Sequence, residues 1–431
     1  MGRAEQLVEY RPPSSAAKLP NRDNHVPSTF AALRHRNYRL WFFGQTVSQM
    51  GTWMQSVAQG WVVYALTGSD LALGTISFLG ALPTLFLMLP AGVVVDRSDK
   101  RRLLLLTQTA MMLLAFTMAI LAATNSLRVW HIGLLATLLG IANSFDAPTR
   151  QAMVVEMVDD RRDLTNAIAL NSTIFNLARV VGPAIGGVVL AAFGAVWCFG
   201  LNGLSFVAVI LAVLAMRINA AAQPVDREPL LRQARAGLGY VRQNPVILAL
   251  VAITGFSAVF ASSYGVLLPA FAADVLHTGE VGLGGLNAAI GAGALIGSLT
   301  VATFSHHPNR GAFLVAGCLL YPGMLIGFAL SRYLVLSYAC LALAGWAIVV
   351  QNANINTVIQ ASVPDQLRGR VMAVYMLTMW GATPFGSLQA GTIAQVFGPR
   401  AGVGVGAVLA LVFAIAMLVL VPGIRTLRSA E

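Results

Sequence analysis

Hydrophobic residues occur in long blocks that are separated by short polar segments along most of the chain. Each block has about 20 residues or more, which is enough for an α-helix to cross a bilayer core roughly 30 Å thick. The pattern predicts an all-α integral membrane protein with twelve transmembrane helices in two pseudo-symmetric six-helix bundles. The predicted spans 1 to 12 are 38–66, 71–95, 103–124, 130–155, 165–193, 197–216, 246–274, 281–304, 312–330, 333–360, 370–396 and 402–422.

The composition excludes a soluble globular enzyme. Of the 431 residues, 57% are hydrophobic and only 10% are charged, against roughly 25% charged in an ordinary soluble domain. So few charges cannot cover the surface of a soluble chain of this size. The three cysteines, Cys198, Cys318 and Cys340, lie in or at the start of hydrophobic blocks. We interpret them as apolar packing residues and not as a disulfide framework.

The basic residues indicate membrane topology. The net charge is +11, but Lys and Arg cluster between the hydrophobic blocks, which is typical of the cytoplasmic loops of a membrane protein and not of a nucleic-acid-binding surface. If both termini are cytoplasmic, all but four of the 28 Lys and Arg lie on the cytoplasmic side or near it. The four exceptions are Arg128, Arg332 and Arg400, which face outward, and Arg179, which lies inside span 5. The sequence therefore predicts a multi-pass protein of the cell (inner) membrane that contacts the lipid bilayer and binds no nucleic acid.

A polar break divides the chain into two halves. Within it, Leu230, Ala234, Leu238 and Val241 share one helical face that arginines flank, which predicts a short amphipathic helix on the membrane surface. The predicted domains are a mobile cytoplasmic tail (1–29), a first six-helix bundle (30–216), a cytoplasmic linker (217–244), a second six-helix bundle (245–424) and a second cytoplasmic tail (425–431).

The two halves carry matching residues at a nearly constant offset. An offset of 205 residues relates three pairs and an offset of 204 relates a fourth, and these pairs are Gly92 with Gly297, Gly140 with Gly345, Asp160 with Asp365, and Gly187 with Gly391. The offset indicates a duplication. Two related bundles are what alternating access requires, because one bundle rocks against the other around a central site.

Polar side chains form stripes along individual spans. Residues three or four apart share a helical face, and polar residues inside a bilayer must face protein or water. Interhelical hydrogen bonds alone can explain any one stripe, but their recurrence in spans 1, 4, 7 and 10 favours a shared aqueous cavity. The candidates for its lining are Gln45, Gln49, Thr52, Gln59, Asn143, Asn352, Asn356, Gln360, Met379 and Trp380.

Two charged residues lie deep within the predicted spans. Asp146 can pair with Arg150, one helical turn away, or with Arg179 across the hairpin of spans 4 and 5. Three roles remain open: a fixed structural pair, proton coupling through Asp146, and contact of Arg179 with an anionic substrate.

The loop after span 2 reads Gly92-Val93-Val94-Val95-Asp96-Arg97-Ser98-Asp99-Lys100-Arg101-Arg102. It resembles the loop 2–3 motif of the major facilitator superfamily, G-x-x-x-D-R-x-G-x-R-R, with Asp99 at a position where glycine is usual. We interpret the loop as a gate latch in which Asp96 caps a facing helix, on span 11, and the basic run pairs with an acid such as Glu156. The alternative is a plain basic cytoplasmic loop.

Span 5 contains the segment Arg179-Val180-Val181-Gly182-Pro183-Ala184-Ile185-Gly186-Gly187. It resembles the G-P-x-x-G-G motif of exporters in the same superfamily. Gly182 and Gly186 allow close helix approach, and Pro183 removes a backbone hydrogen bond and bends the helix. Together with residues 146–150 and 364–371, these motifs resemble the enterobactin-exporter-like branch, which is related to macrolide and multidrug exporters. The resemblance covers residues 30 to 425 and implies proton-driven export.

The sequence lacks the motifs of other functional classes. It contains no P-loop lysine motif and no nucleophile motif, and its six histidines lie in the tail, loops or span ends. We therefore expect no enzyme activity, no cofactor and no metal site. The leading hypothesis is a monomeric secondary active transporter that exports a small amphipathic molecule, a siderophore or a drug-like natural product, by proton antiport. The substrate is expected to be neutral or anionic. The alternatives are a metabolite uptake permease and a non-transporting membrane protein or membrane enzyme.

Overall fold

A computed structural model describes residues 30–217, 230–304 and 310–424, and these ranges form helices and short connections without strands. The predicted tails and residues 218–229 lie outside the described residues. The helices are α1 Arg36–Thr67, α2 Asp70–Arg97, α3 Lys100–Ala123, α4 Val129–Val154, α5 Leu164–Phe193, α6 Ala195–Ala215, α7 Leu230–Gln243, α8 Pro245–Phe256, α9 Leu268–Ala270, α10 Gly279–Thr303, α11 Arg310–Leu330, α12 Leu334–Ser362, α13 Asp365–Gly381, α14 Thr383–Phe397 and α15 Pro399–Leu420.

The predicted fold class, an all-α membrane protein, is confirmed. Nine helical segments of the described chain are at least 18 residues long and apolar enough to cross a membrane. The predicted spans outside these nine correspond to α1 and α4, which are long enough but less apolar, and to the pair α13–α14, whose helices have 17 and 15 residues. The crossing of the membrane by all twelve predicted spans remains a prediction.

Local capping determines where several helices begin and end. The Ser69 hydroxyl accepts a hydrogen bond from the backbone N–H of Ala72 at 3.2 Å, and Asp99 caps α3 by accepting from Arg102 N–H at 3.1 Å. Such side-chain acceptors satisfy backbone donors that the first helical turn leaves free. Gly194 and Gly398 end α5 and α14 with φ of 82° and 85°, a region that glycine adopts without steric cost. The two sites lie 204 residues apart, so the repeated Phe-Gly sequence has the same backbone form in both halves.

The helices pack into two groups that follow the division of the sequence. In the first half, α1 packs on α5 and α6, and α4 packs on α2 and α3. In the second half, α12 packs on α10 and α11, and α15 packs on α11 and α14. Two pairs, α5 with α10 and α2 with α14, join the halves.

The molecule has two chemically different ends. At the basic end, Arg36 donates to the carbonyl of Ala215 and Lys100 pairs with Glu156. At the opposite end, Tyr64 donates to Asp274, and Arg400 donates to the carbonyl of Ser331. We call these the basic end and the opposite end.

Glycines bring the two halves together near the opposite end. A Cβ added at Gly187 would lie 2.8 Å from the Cα of Gly284 in α10, and one added at Gly74 would lie 3.1 Å from the Cα of Gly391 in α14. Both contacts therefore exclude any side chain, and they close this end of the protein. Gly182 and Gly186 of the predicted G-x-x-x-G surface pack instead on α1, where added Cβ atoms would meet Met50 and Met54 backbone atoms at 2.8 and 3.0 Å.

The predicted linker helix is present as α7 and packs against α13. Gly237 lies directly against the carbonyl of Arg370, and Val241 is buried beneath the helix. Leu238, which was assigned to the same apolar face, is 39% exposed. The helix therefore buries part of the predicted face against the second half, and its position on a membrane surface remains a prediction.

The segment predicted as span 7 is not a regular α-helix. After α8, a π-helical turn (Ser257–Ala261) leads into a 3₁₀ stretch (Ser262–Leu267), the single turn α9, and a second π-helical turn (Phe271–Val275). Pro269 cannot donate a backbone hydrogen bond, and π-helical turns are frequent at functional sites. The irregular backbone extends from the middle of the second half to the opposite end.

The glycine contacts predict a matched pair of variants. In Gly187→Ala the new methyl group would meet backbone atoms of α10, which cannot move as a side chain can. The closed arrangement should therefore be destabilised by roughly 1–3 kcal/mol. We expect transport to fall about fivefold or more. Gly200→Ala is the control, because a Cβ there meets nothing within 4 Å. Both variants are measured by transport rate and thermal stability, and equal rates for the two would contradict the role of the contact.

Candidate functional site

A cavity of about 610 Å³ lies between the two halves. One face of α1 supplies most of its polar wall, because residues three or four apart fall on the same side of the helix. α4 adds Asn143, Asp146 and Arg150, and α3 and α6 add Gln108 and Asn202. The residues of α1 with polar side chains in the wall are Gln45, Ser48, Gln49, Thr52, Gln55, Ser56 and Gln59.

The second half contributes fewer polar groups to the cavity. Ser262 and the backbone around Gly265 come from the irregular segment after α8, Asn287 comes from α10, and Thr383 and Ser387 come from α14. The 3₁₀ stretch thus lies in the wall of the cavity.

The structure brings only some of the predicted cavity residues together. Those on α1 and α4 line the cavity, whereas five on α12 and α13 are absent from its lining. The Gln360 amide donates to Asn356 one turn away, and Trp380 is 55% exposed. Helical spacing identifies a shared face but not which neighbour covers that face. The five residues outside the lining are Asn352, Asn356, Gln360, Met379 and Trp380.

Asp146 is completely buried and has three polar neighbours. Its Oδ1 accepts hydrogen bonds from Thr107 Oγ1 at 2.9 Å and Gln108 Nε2 at 2.8 Å. Its Oδ2 lies 2.6 Å from Arg150 Nε, a close ion contact that lacks the alignment of a hydrogen bond. Of the two partners considered from sequence, Arg150 is therefore the one that contacts this carboxylate. Thr107 and Gln108 were missed because α3 reads as an apolar span.

A second buried polar residue occupies the corresponding place in the other half. Gln351 follows Asp146 by 205 residues, the offset that relates the matching glycines. It is fully buried, and its Nε2 donates to Ser257 Oγ at 3.3 Å. Sequence reasoning missed Gln351, although the offset was sufficient to find it. One half thus buries a carboxylate where the other buries a neutral amide.

Arg179 lies apart from Asp146, at the contact between the halves. Its carbonyl oxygen packs against Gly291 of α10, where an added Cβ would lie 2.6 Å away. Its guanidinium is close enough to Tyr264 and Tyr321 for its charge to act on both phenols. The Tyr321 hydroxyl lies 3.1 Å from the Ser262 hydroxyl, which borders the cavity. Among the described residues, no carboxylate forms an ion pair with Arg179.

The predicted gate motif lies at the basic end. Lys100 pairs with Glu156, as the sequence analysis expected, and Arg101 donates to the carbonyl of Leu214 at 2.9 Å. Asp99, which replaces the usual glycine of the motif, caps α3 and lies 3.4 Å from Arg102 Nε. Gly92, Asp96 and Arg97 lie in the last two turns of α2. The action of this motif as a latch remains a prediction.

His35 connects the start of α1 to the loop between α4 and α5. Its ring nitrogens lie 2.9 Å from Asp163 Oδ2 and 3.3 Å from Asp159 Oδ2. Burial opposes the imidazolium, but the hydrogen bonds and charges of Asp163 and Asp159 outweigh it and raise the pKa of His35. The group lies on the basic end and outside the membrane-spanning segments.

Within the described residues, no group of three or more His, Cys, Asp or Glu side chains could hold a metal ion. The three cysteines are buried and unpaired.

Comparisons with known proteins relate the whole chain to membrane transporters. Residues 27–430 match the family described as transmembrane secretion effector. The multidrug efflux pump Tap of Mycolicibacterium fortuitum is 28% identical over 84% of this chain and 90% of its own length. The staphyloferrin A transporter of Staphylococcus aureus is 26% identical over 81% and 87%. The enterobactin exporter EntS of Escherichia coli is 25% identical over 92% and 94%.

Solved transporters share the fold. The nucleoside transporter NupG superposes with a TM-score of 0.74 over 90% of this chain and 100% of its own length, at 12% sequence identity. The chain is therefore a membrane transporter and not an enzyme, and it belongs to the transmembrane secretion effector family of the major facilitator superfamily.

Proposed function

We propose that this protein exports a small amphipathic organic molecule from the cytoplasm by alternating access, driven by proton antiport. The observation that carries the proposal is the polar cavity between the two halves, which glycine contacts join at one end. Relatives across most of the chain are named as exporters of enterobactin and of multiple drugs. A siderophore or a drug-like natural product is therefore the substrate class.

The proposed orientation puts both termini and the basic end in the cytoplasm. Lys100, Arg101 and Arg102 then lie on the cytoplasmic side, in agreement with the positive-inside rule. The Lys100–Glu156 pair joins the start of α3 to the segment after α4, so the gate motif braces the first half while the halves rock. A single chain carries both halves of the cavity, and we propose that the monomer is the functional unit.

Asp146 is the proposed coupling residue of the cavity. Its carboxylate is buried beside Arg150, and a buried charge requires a partner or a proton. Movement or an incoming ligand that separates Arg150 from Asp146 removes the charge partner of this carboxylate, and we propose that a proton then takes its place. The hydrogen bonds from Thr107 and Gln108 keep the carboxylate in place during this exchange.

Arg179 is the proposed source of substrate charge preference. Its charge acts on the phenols of Tyr264 and Tyr321, and no carboxylate pairs with it among the described residues. Guanidinium groups form strong charge-assisted hydrogen bonds with carboxylates, catecholates and phenolates. The amides of α1 provide uncharged hydrogen-bonding groups for the rest of the ligand. Arg179 lies outside the lining of the cavity, and we propose that its charge, acting from the contact between the halves, favours neutral or anionic molecules over organic cations.

The direct test of export compares culture medium with and without the gene by untargeted metabolite analysis under iron limitation. A host without its own siderophore exporters is the appropriate background. We expect at least one amphipathic metabolite to accumulate outside the cells only when the protein is present. Accumulation inside the cells, or depletion from the medium, would contradict export and favour uptake.

Replacement of Asp146 by Asn tests coupling. We expect Asp146→Asn to lose gradient-driven transport by at least about tenfold and to retain ligand binding, because the amide keeps the volume but cannot exchange a proton. The control is Asp160→Asn, which removes an acid from the basic end outside the cavity. The measurements are transport in membrane vesicles with an imposed pH gradient and binding to the purified protein. Loss of folding in Asp146→Asn alone would favour a purely structural ion pair.

Replacement of Arg179 by Gln tests charge preference. In vesicles, a catecholate-type ligand should compete better for export than a lipophilic cation of similar size. The preference should shrink severalfold in Arg179→Gln, because a neutral amide attracts anions less strongly than a guanidinium. Arg150→Gln is the comparison, since it removes a cation that already has a carboxylate partner. Preferential export of the cation by the unmodified protein would rule out the proposal.

A further inference from the structure

A polar cluster at the opposite end joins the two halves. Tyr64 of α1 donates a hydrogen bond to Asp274 Oδ2 in the second π-helical turn. Ser69 Oγ donates to Gln395 Oε1 of α14 at 2.6 Å, and the Leu71 N–H donates to the same oxygen at 3.2 Å. Every one of these bonds crosses from the first half to the second, so the cluster exists only while this end is closed.

Asp70 lies in this cluster with an unsatisfied carboxylate oxygen. The residue is 7% exposed, and its buried Oδ1 has no hydrogen-bond partner. The charge of Asp274 acts on Asp70, and the charge of Asp70 acts on Tyr64. Two further titratable residues follow Asp274: His277, whose Nδ1 lies 2.9 Å from the carbonyl oxygen of Ala273, and Glu280 in the first turn of α10. The neighbouring side chains of Ser69 and Gln395 are neutral. Within the described residues, neither Asp70 nor Asp274 forms an ion pair with a cation.

Two neighbouring carboxylates without a cation are unfavourable when both are ionised. Asp70 is buried, so its charge is penalised by desolvation, and the charge of the exposed Asp274 penalises it further. A proton bound to one of them removes the repulsion and converts an unsatisfied oxygen into a hydrogen-bond donor. When the halves separate, Asp70 faces water as Asp274 already does, and carboxylates in water are ionised near neutral pH.

We propose that Asp70 and Asp274 form a proton-binding site that holds one proton while the opposite end is closed and releases it when that end opens. A hydronium ion transfers the proton to a carboxylate oxygen and becomes water, and release reverses this transfer. Leu73 lines the cavity, so one helical turn separates Asp70 from the cavity wall. The use of this proton to drive export rests on the proposed function, but the site itself does not.

The direction of the pH effect follows from proton counting. The closed state binds one proton more than the open state, so closure is favoured as the pH falls and weakened as it rises. For one linked proton, the ratio of closed to open molecules changes by at most about tenfold per pH unit.

The test measures closure without measuring transport. Spin labels are attached to Leu66→Cys and Phe397→Cys in the purified full chain in lipid nanodiscs. Both positions are exposed at the opposite end, one in each half, and the native cysteines are buried. The distance distribution is recorded from pH 5 to pH 9. We expect molecules with the short distance to dominate at low pH. The fraction of such molecules should decrease severalfold as the pH rises.

Asp70→Asn should keep the short distance across the whole pH range, because its amide needs no proton to remain buried. Asp274→Asn is a second variant in case the first fails to fold, and it should weaken the pH response, because it removes the repulsion but leaves the Asp70 carboxylate buried. Glu280→Gln is the matched control, since it removes another acid from the opposite end and should retain the pH response. A pH-independent distance in the unmodified chain, a pH response that survives both Asp variants, or a response to Na⁺ or Ca²⁺ at fixed pH would each overturn the proposal. Export that persists alongside such a result would leave the proposed function intact.

Discussion

A polar side chain inside a bilayer must face protein or water, and this constraint organises the structure. The polar face of α1 turns inward and forms most of the cavity wall, while Phe86, Leu106 and Ile120 remain exposed on the surfaces of α2 and α3. The same constraint explains the surroundings of Asp146, where donors from α3 and a cation from α4 compensate one buried charge. Polar side chains that have no hydrogen-bond partner in the protein need water, and the cavity between the halves can supply it.

The fold was predictable from sequence because long hydrophobic blocks have few other solutions. The positions of the helices and the inward direction of the α1 stripe followed from length and spacing. The contacts between helices did not follow. Spacing left Asp146 with two possible partners. Arg150 contacts it from one turn along α4, whereas packing places Arg179 against α10. Spacing also placed Asn356 and Gln360 in a cavity that they do not line. The π-helical turns after α8 were missed because a regular and an irregular apolar helix have the same composition.

The duplicated halves share a backbone and differ in chemistry. The Phe-Gly endings of α5 and α14 have the same form, and Asp146 and Gln351 occupy equivalent buried positions. An amide makes neutral hydrogen bonds at any physiological pH, whereas a carboxylate can exchange a proton. The titratable chemistry of the cavity is therefore concentrated in the first half, and the second half contributes the irregular segment that reaches Asp274.

The paired glycine contacts relate the protein to a two-fold symmetric dimer. Gly187 meets α10 as its counterpart Gly391 meets α2, so an approximate rotation exchanges one contact for the other. This is the geometry of an isologous interface, in which one surface patch is used twice, carried here within a single polypeptide. The two halves are equivalent at such an interface, so neither one is fixed while the other moves. Movement at one contact therefore requires a compensating movement at the other.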